Sequence, residues 1–149
     1  MDYTNLKNDL SRNVAGLCVW QRTRNASRIL SRRYDAALRG TGLNVSQYSM
    51  LVIISLSEER TLTDLAARMG LERTTLIRNI KPLERDGMIK QSDEGYRRAR
   101  SVEITDKGLA KLEEILPRWH DVQNKLKAEL GTEMWTNMHQ SLKAMNALE

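Results

Sequence analysis

The stretch Leu62-Thr63-Asp64-Leu65-Ala66-Ala67-Arg68-Met69-Gly70-Leu71-Glu72-Arg73-Thr74-Thr75-Leu76-Ile77-Arg78-Asn79-Ile80 decides the fold. Thr61 stands just before it, and Asp64 follows three residues later. In that pattern the hydroxyl accepts a backbone N–H and the acid reaches back, so a helix opens there. Leu65, Ala66 and Met69 fall on one face of this short helix. Gly70 ends it, because glycine takes the left-handed backbone of a helix stop. Leu71 begins a tight turn, and a second helix is expected over about residues 73–86, closed by Gly87. Helix, glycine turn and helix form the unit that lays its second helix in the major groove of DNA.

At about 100° per residue, Leu76, Ile77, Ile80 and Leu83 of that second helix point inward. Thr74, Thr75, Arg78, Asn79, Lys81 and Arg85 point outward. Arginine can donate two bonds to guanine, and asparagine can pair bidentately with adenine. Threonine suits phosphates or the thymine methyl group. A plain solvated helix face would look similar, so the order of elements carries the reading. Two β-compatible runs follow, residues 88–91 and 101–104. Between them, turn formers lead into Arg97, Arg98 and Arg100, which makes a hairpin with a cationic tip, a wing.

Outward from this centre, Asn44 and Gln47 repeat the capping pattern and open a helix to about residue 57, carrying Met50-Leu51-Val52-Ile53-Ile54. Residues 8–39 contain no Pro, and Gly16 is their one glycine. Leu10, Val14, Leu17, Cys18, Ile29, Leu30 and Leu38 recur there at helical steps, so the segment reads as one or two long helices ended by Gly40-Thr41-Gly42. After the wing, Thr105 caps a helix with Leu109, Leu112, Leu116, Trp119, Val122, Leu126 and Leu130 along one stripe. Pro117 is expected to kink it. Beyond Gly131-Thr132 a last helix carries Met134, Trp135, Met138, Leu142, Met145 and Leu148. The expected fold is mainly α with a small β-hairpin wing: a winged helix-turn-helix over about 44–104, flanked by terminal helices at 1–40 and 105–149, in one domain. Three Trp and seven Met imply more apolar helix surface than a small winged domain can cover, and a dimer would bury it.

Charge is placed unevenly over the 149 residues. Residues 20–40 hold six Arg against one Asp, residues 68–100 hold nine basic and five acidic side chains, and from Ser101 onward eight acids outnumber six bases. A basic centre suits a polyanion such as double-stranded DNA. The single cysteine, Cys18, excludes an intramolecular disulfide framework. The opening residues lack a signal-peptide pattern and the longest apolar run is too short for a bilayer, so the expectation is a soluble cytoplasmic protein without membrane partners. No His-x-x-x-His, Cys pair or Gly-rich phosphate loop occurs, and His120 and His139 lie nineteen residues apart. Neither an enzyme, a metal site nor a cofactor is expected.

Taken together, the stretch 62–80, then Leu83-Glu84-Arg85-Asp86-Gly87-Met88-Ile89, and the wing Arg97-Arg98-Ala99-Arg100-Ser101-Val102-Glu103-Ile104-Thr105 with Gly108, resemble the MarR family of bacterial regulators. The similarity extends over nearly the whole chain. It implies a homodimer with interlocked terminal helices, whose paired recognition helices bind a palindromic operator, most often as a repressor. The residues expected to contact DNA are Arg73, Thr74, Thr75, Arg78, Asn79 and Lys81 in the helix, with Arg97 and Arg98 in the wing. Arg98 is expected to enter the minor groove. Tyr96 departs from the family pattern, which has Asp two residues before that arginine, and Glu72 is a poorer helix cap than Ser or Asp.

The resemblance also implies a small aromatic or phenolic effector, held in a crevice between the DNA-binding and dimerisation regions, with Trp20, Tyr34, Met50 and Trp119 as wall residues. Leu17-Cys18-Val19 is similar to the peroxide-sensing branch of the family, which makes an oxidant sensor through Cys18 the alternative regulator. Counted back from Tyr34, however, Cys18 stands about two residues too early, roughly 200° of helix turn. A small buried hydrophobe is the expected role. From another class, a helical interaction adaptor keeping an idle winged domain is the rival, separable by the salt dependence of DNA binding.

Overall fold

A computed structural model describes residues 3–56, 60–92 and 101–148. The chain opens with α1 (Thr4–Asp9), which passes into π-type turns over Leu10–Ala15. Next come α2 (Val19–Ala37) and α3 (Val45–Ser55). A short strand β1 (Arg60–Thr61) leads into α4 (Leu62–Arg68) and α5 (Arg73–Arg85). Strands β2 (Ile89–Gln91) and β3 (Ser101–Ile104) precede the long α6 (Asp106–Leu130) and the final α7 (Thr132–Met145).

Both expected capping boxes are present. Asn44 accepts from the Gln47 backbone at 2.9 Å while Gln47 accepts from Asn44 N at 3.0 Å. Thr61 and Asp64 make the same exchange at 3.1 and 3.4 Å. The sheet has β3 in the middle, antiparallel to both neighbours. The wing pair is in register Ile89↔Ile104 and Gln91↔Val102. The third strand, β1, was not expected from sequence; two residues show no alternation to read.

The core gathers Met50, Leu51 and Ile54 of α3, Leu65 of α4, Leu76, Ile80 and Leu83 of α5, and Val102 of β3. Helix α3 lies at its centre, which explains an apolar run with no clear polar side. The stripe assigned to α6 needs correcting: Ile115 is fully buried, while Leu109 and Leu116 are 48% and 44% exposed. Sequence spacing located the helix but misplaced its inward face by part of a turn. Helix α6 also runs through Pro117 as a single element, as α5 does through Pro82.

The amino-terminal segment resolves into two pieces. Gly16 and Leu17 form a turn, and Cys18 adopts an extended backbone (φ −63°, ψ 106°) as the N-cap of α2. The Arg22 side chain closes over this break, donating from Nε to the Gly16 carbonyl at 3.0 Å and from Nη2 to the same oxygen. Three links then tie α2 to α6. Arg33 pairs with Glu129, Gln123 donates to the Tyr34 hydroxyl, and Arg118 Nη1 donates to the carbonyls of Ala37 (3.2 Å) and Arg39 (2.9 Å).

Candidate nucleic-acid interface

The helix-turn-helix is set by Gly70, whose φ of +59° stops α4. Its neighbour Leu71 turns back to donate to the Ala66 carbonyl at 2.9 Å. Glu72 stands at the N-cap of α5 without a side-chain hydrogen bond, as expected for a residue poorly shaped for that role. The first backbone N–H groups of α5 therefore lack a side-chain cap at an exposed end, where a helix favours anions.

Helix α5 buries Leu76, Ile80 and Leu83, with Ile77 half-buried beside them. Its outer face presents Arg73, Thr74, Arg78 and Lys81 to solvent. Among the described residues none of these three cations forms an ion pair, so their charge is available to an outside anion. Thr75 and Asn79 are half-buried, and Asn79 Nδ2 donates to the Thr75 carbonyl at 3.0 Å. Arg85, on the same face by spacing, is instead held by Asp86 at 2.8 Å. Their hydrogen bond and the attraction between them push the Arg85 pKa up, and the same bond holds the Asp86 carboxyl below its usual range. One face thus divides into a half of exposed cations, unpaired among the described residues, and a self-neutralised end.

The wing base is well built. Lys90 and Glu103 pair across the strands at 2.7 Å. Ser92 N donates to the Ser101 carbonyl at 3.0 Å, and the Ser101 N–H returns to Ser92 Oγ at 3.1 Å. Arg97, Arg98 and Tyr96 lie outside the described residues.

The four expected effector-wall residues do not converge. Met50 is fully buried in the core. Trp20 is 63% exposed, with the Arg24 guanidinium 5.1 Å above its ring. Tyr34 lines a groove between α2 and α7 near Leu142. Trp119 alone of the four lines the crevice between α3 and α6, a space of about 620 Å³ walled by Tyr48, Val52, Leu56, Leu112 and Leu116. Spacing can place a residue on a helix, but it cannot show which helix that face meets. Cys18 is half-buried. Sequence reasoning also missed Asp35, whose Oδ1 accepts from Val45 N at 2.7 Å and so holds the start of α3. No periodic signal marks such a capping contact ten residues away.

Fold and surface together define a winged helix-turn-helix protein whose second helix presents exposed cations that are unpaired among the described residues. The MarR family profile matches residues 41–99 of the chain. The transcriptional regulator MosR of M. tuberculosis, solved in complex with DNA, is 39% identical, with 86% of this chain and 98% of that one covered and a TM-score of 0.70. The chain belongs to the MarR family. The transcriptional repressor MprA of Escherichia coli K12 is 28% identical over 109 residues, 71% of this chain; the match spans 61% of MprA's own length. CouR from Rhodococcus jostii RHA1, solved bound to p-coumaroyl-CoA, shares the fold at 20% identity and TM-score 0.75, covering 93% of this chain and 95% of that one.

Proposed function

We propose that the chain is a cytoplasmic, sequence-specific DNA-binding transcriptional repressor, acting as a homodimer on an inverted repeat. It uses residues 44–104 to bind DNA and its terminal helices to pair. The observation that carries this reading is the outer face of α5, where Arg73, Arg78 and Lys81 stand exposed with no ion-pair partner among the described residues. Such cations gain most from neutralising phosphates and reading guanine. The DNA-bound MosR relative supports the partner, and MprA supports the sign of regulation. An unmet apolar surface supports the dimer: every residue from 3 to 15 is exposed, including Leu6, Leu10 and Val14, and α7 has no buried residue.

The test is a binding-site selection followed by titration at several salt concentrations. Binding should weaken steeply with salt, through counterion release. Half-site centres should lie about one helical turn apart. Arg78→Ala should lose about 1–3 kcal/mol on the selected site and relax preference at one base position. Arg98→Ala should instead weaken selectivity for narrow A·T minor grooves. Unchanged affinity of Arg78→Ala on that site removes Arg78 from the reading role.

The effector is a small aromatic or phenolic molecule seated in the α3–α6 crevice. Its volume suits such ligands. Its walls leave Leu56 71% exposed, and the Tyr48 phenol, whose pKa burial raises, is a hydrogen-bond donor at neutral pH as any tyrosine is. With Trp20 and Trp135 changed to Phe, a phenolic acid such as p-coumarate should quench Trp119 fluorescence and release the operator together. Release without quenching would put the effector elsewhere.

A further inference from the structure

The two elements set against DNA in this reading, α5 and the β2–β3 hairpin, are joined by a side-chain hydrogen bond. Gln91, the last residue of β2, donates from Nε2 to the Glu84 carboxylate of α5 at 2.8 Å. An ionised carboxylate only accepts, so the Gln91 amide must turn its NH₂ toward Glu84 and its carbonyl away. That carbonyl oxygen is buried and has no hydrogen-bond partner among the described residues. Gln91 walls a small cavity of about 150 Å³ lined by the apolar Leu62, Ile77 and Ile80 and by the charged Arg73, Lys81 and Glu84. An acceptor buried without a donor costs stability, which an apolar side chain of the same length would not lose.

One residue further on, Ser92 and Ser101 lock the two strands together. The hairpin base is thus held across its strands by the serines and to the recognition helix by Gln91. We propose that Gln91 is a positioning residue that sets the angle between wing and recognition helix through Glu84. The strut holds constant the spacing between major-groove reading and the wing contact. Its role in binding rests on the DNA-binding function proposed above, but the strut itself is measurable without DNA.

Spin labels at Thr74→Cys and Arg98→Cys in a Cys18→Ser background, diluted with unlabelled protein, report the helix-to-wing distance distribution by pulsed EPR. Gln91→Met should keep the parent's thermal midpoint or raise it, and yet broaden that distribution. Gln91→Glu, which sets two carboxylates face to face, should broaden it as well. Glu84→Gln combined with Gln91→Glu remakes the bond with donor and acceptor exchanged, and should restore the parental width. On the selected duplex, Gln91→Met should bind roughly tenfold more weakly, the scale of one lost contact, with the loss concentrated in flanking A·T preference. A parental width in Gln91→Met, or an exchanged pair as broad as Gln91→Glu, overturns the strut. Should Gln91→Met fail to fold, Gln91→Glu against the exchanged pair decides by the same readout. A parent that binds no duplex, while the widths respond as expected, sinks the DNA reading and leaves the strut standing.

Discussion

Replacing Gly108 with Ala is expected to lower the thermal midpoint by about 10 °C, and replacing it with Val to prevent folding. Gly108 sits in the first turn of α6, and a Cβ built there would lie 2.2 Å from the Met88 carbonyl oxygen and 2.6 Å from Ile104 Cγ1. The nearer obstacle is backbone, so no rotamer change relieves it. That same carbonyl accepts from Thr105 N at 3.0 Å, and Thr105 Oγ1 donates to the Gly87 carbonyl at 2.7 Å. Moving α6 away to make room would therefore loosen the junction that joins the wing, the end of α5 and the long helix. Overpacking costs about 1–3 kcal/mol where neighbours can adjust, and more where they cannot. For a chain of this size each kcal/mol is worth roughly 2–4 °C. The better helix propensity of Ala returns only about 1 kcal/mol. Gly70→Ala is the control: its φ is positive but nothing lies within 4 Å, so it should lose only the backbone strain of about 1–2 kcal/mol. Thermal scans at matched protein concentration check both. Equal midpoints for the two variants would mean that α6 approaches Met88 less closely than described.

Deleting residues 134–149 is expected to convert the dimer to monomer and to weaken operator binding by roughly 10²–10⁴-fold, while leaving the winged core folded. Helix α7 contributes no buried residue, and Met134 and Leu148 are 58% and 83% exposed. Its removal therefore takes little from the core around Met50 and Leu76, which lies entirely outside it. What it removes is apolar surface offered to a second copy. Two recognition helices on one rigid body engage the second half-site at high effective concentration, and separating them forfeits that gain. Sedimentation and operator titration read the two consequences separately. If the truncated protein still sediments as a dimer, α7 is not the principal pairing element, and the exposed stripe of residues 3–15 takes its place. If it becomes monomeric yet binds the full operator as before, the paired-helix model of recognition fails.

Local chemistry made much of this molecule legible in the sequence. The Asn44–Gln47 and Thr61–Asp64 capping boxes, the Gly70 stop and the buried Leu76–Ile80–Leu83 face each depend on residues within a few positions of one another, and all are present as expected. Helical periodicity also sufficed to place Arg78 and Lys81 together on the outer face of α5, because it decides which side chains share a face. Tertiary structure decided what depends on distant partners. It put Ile115 rather than Leu109 or Leu116 into the core, and Met50 at the centre rather than on a crevice wall. It separated Trp20, Tyr34 and Trp119 into three places, withdrew Arg85 into a pair with Asp86, and inserted β1 beside the wing. It also joined Glu84 to Gln91, and brought Gly108 against the Met88 carbonyl. The physical reason is common to most of these. A helix fixes the directions of its own side chains, but burial and pairing depend on the neighbours that packing brings up, and hydrophobic contact carries no marker of its partner in the sequence.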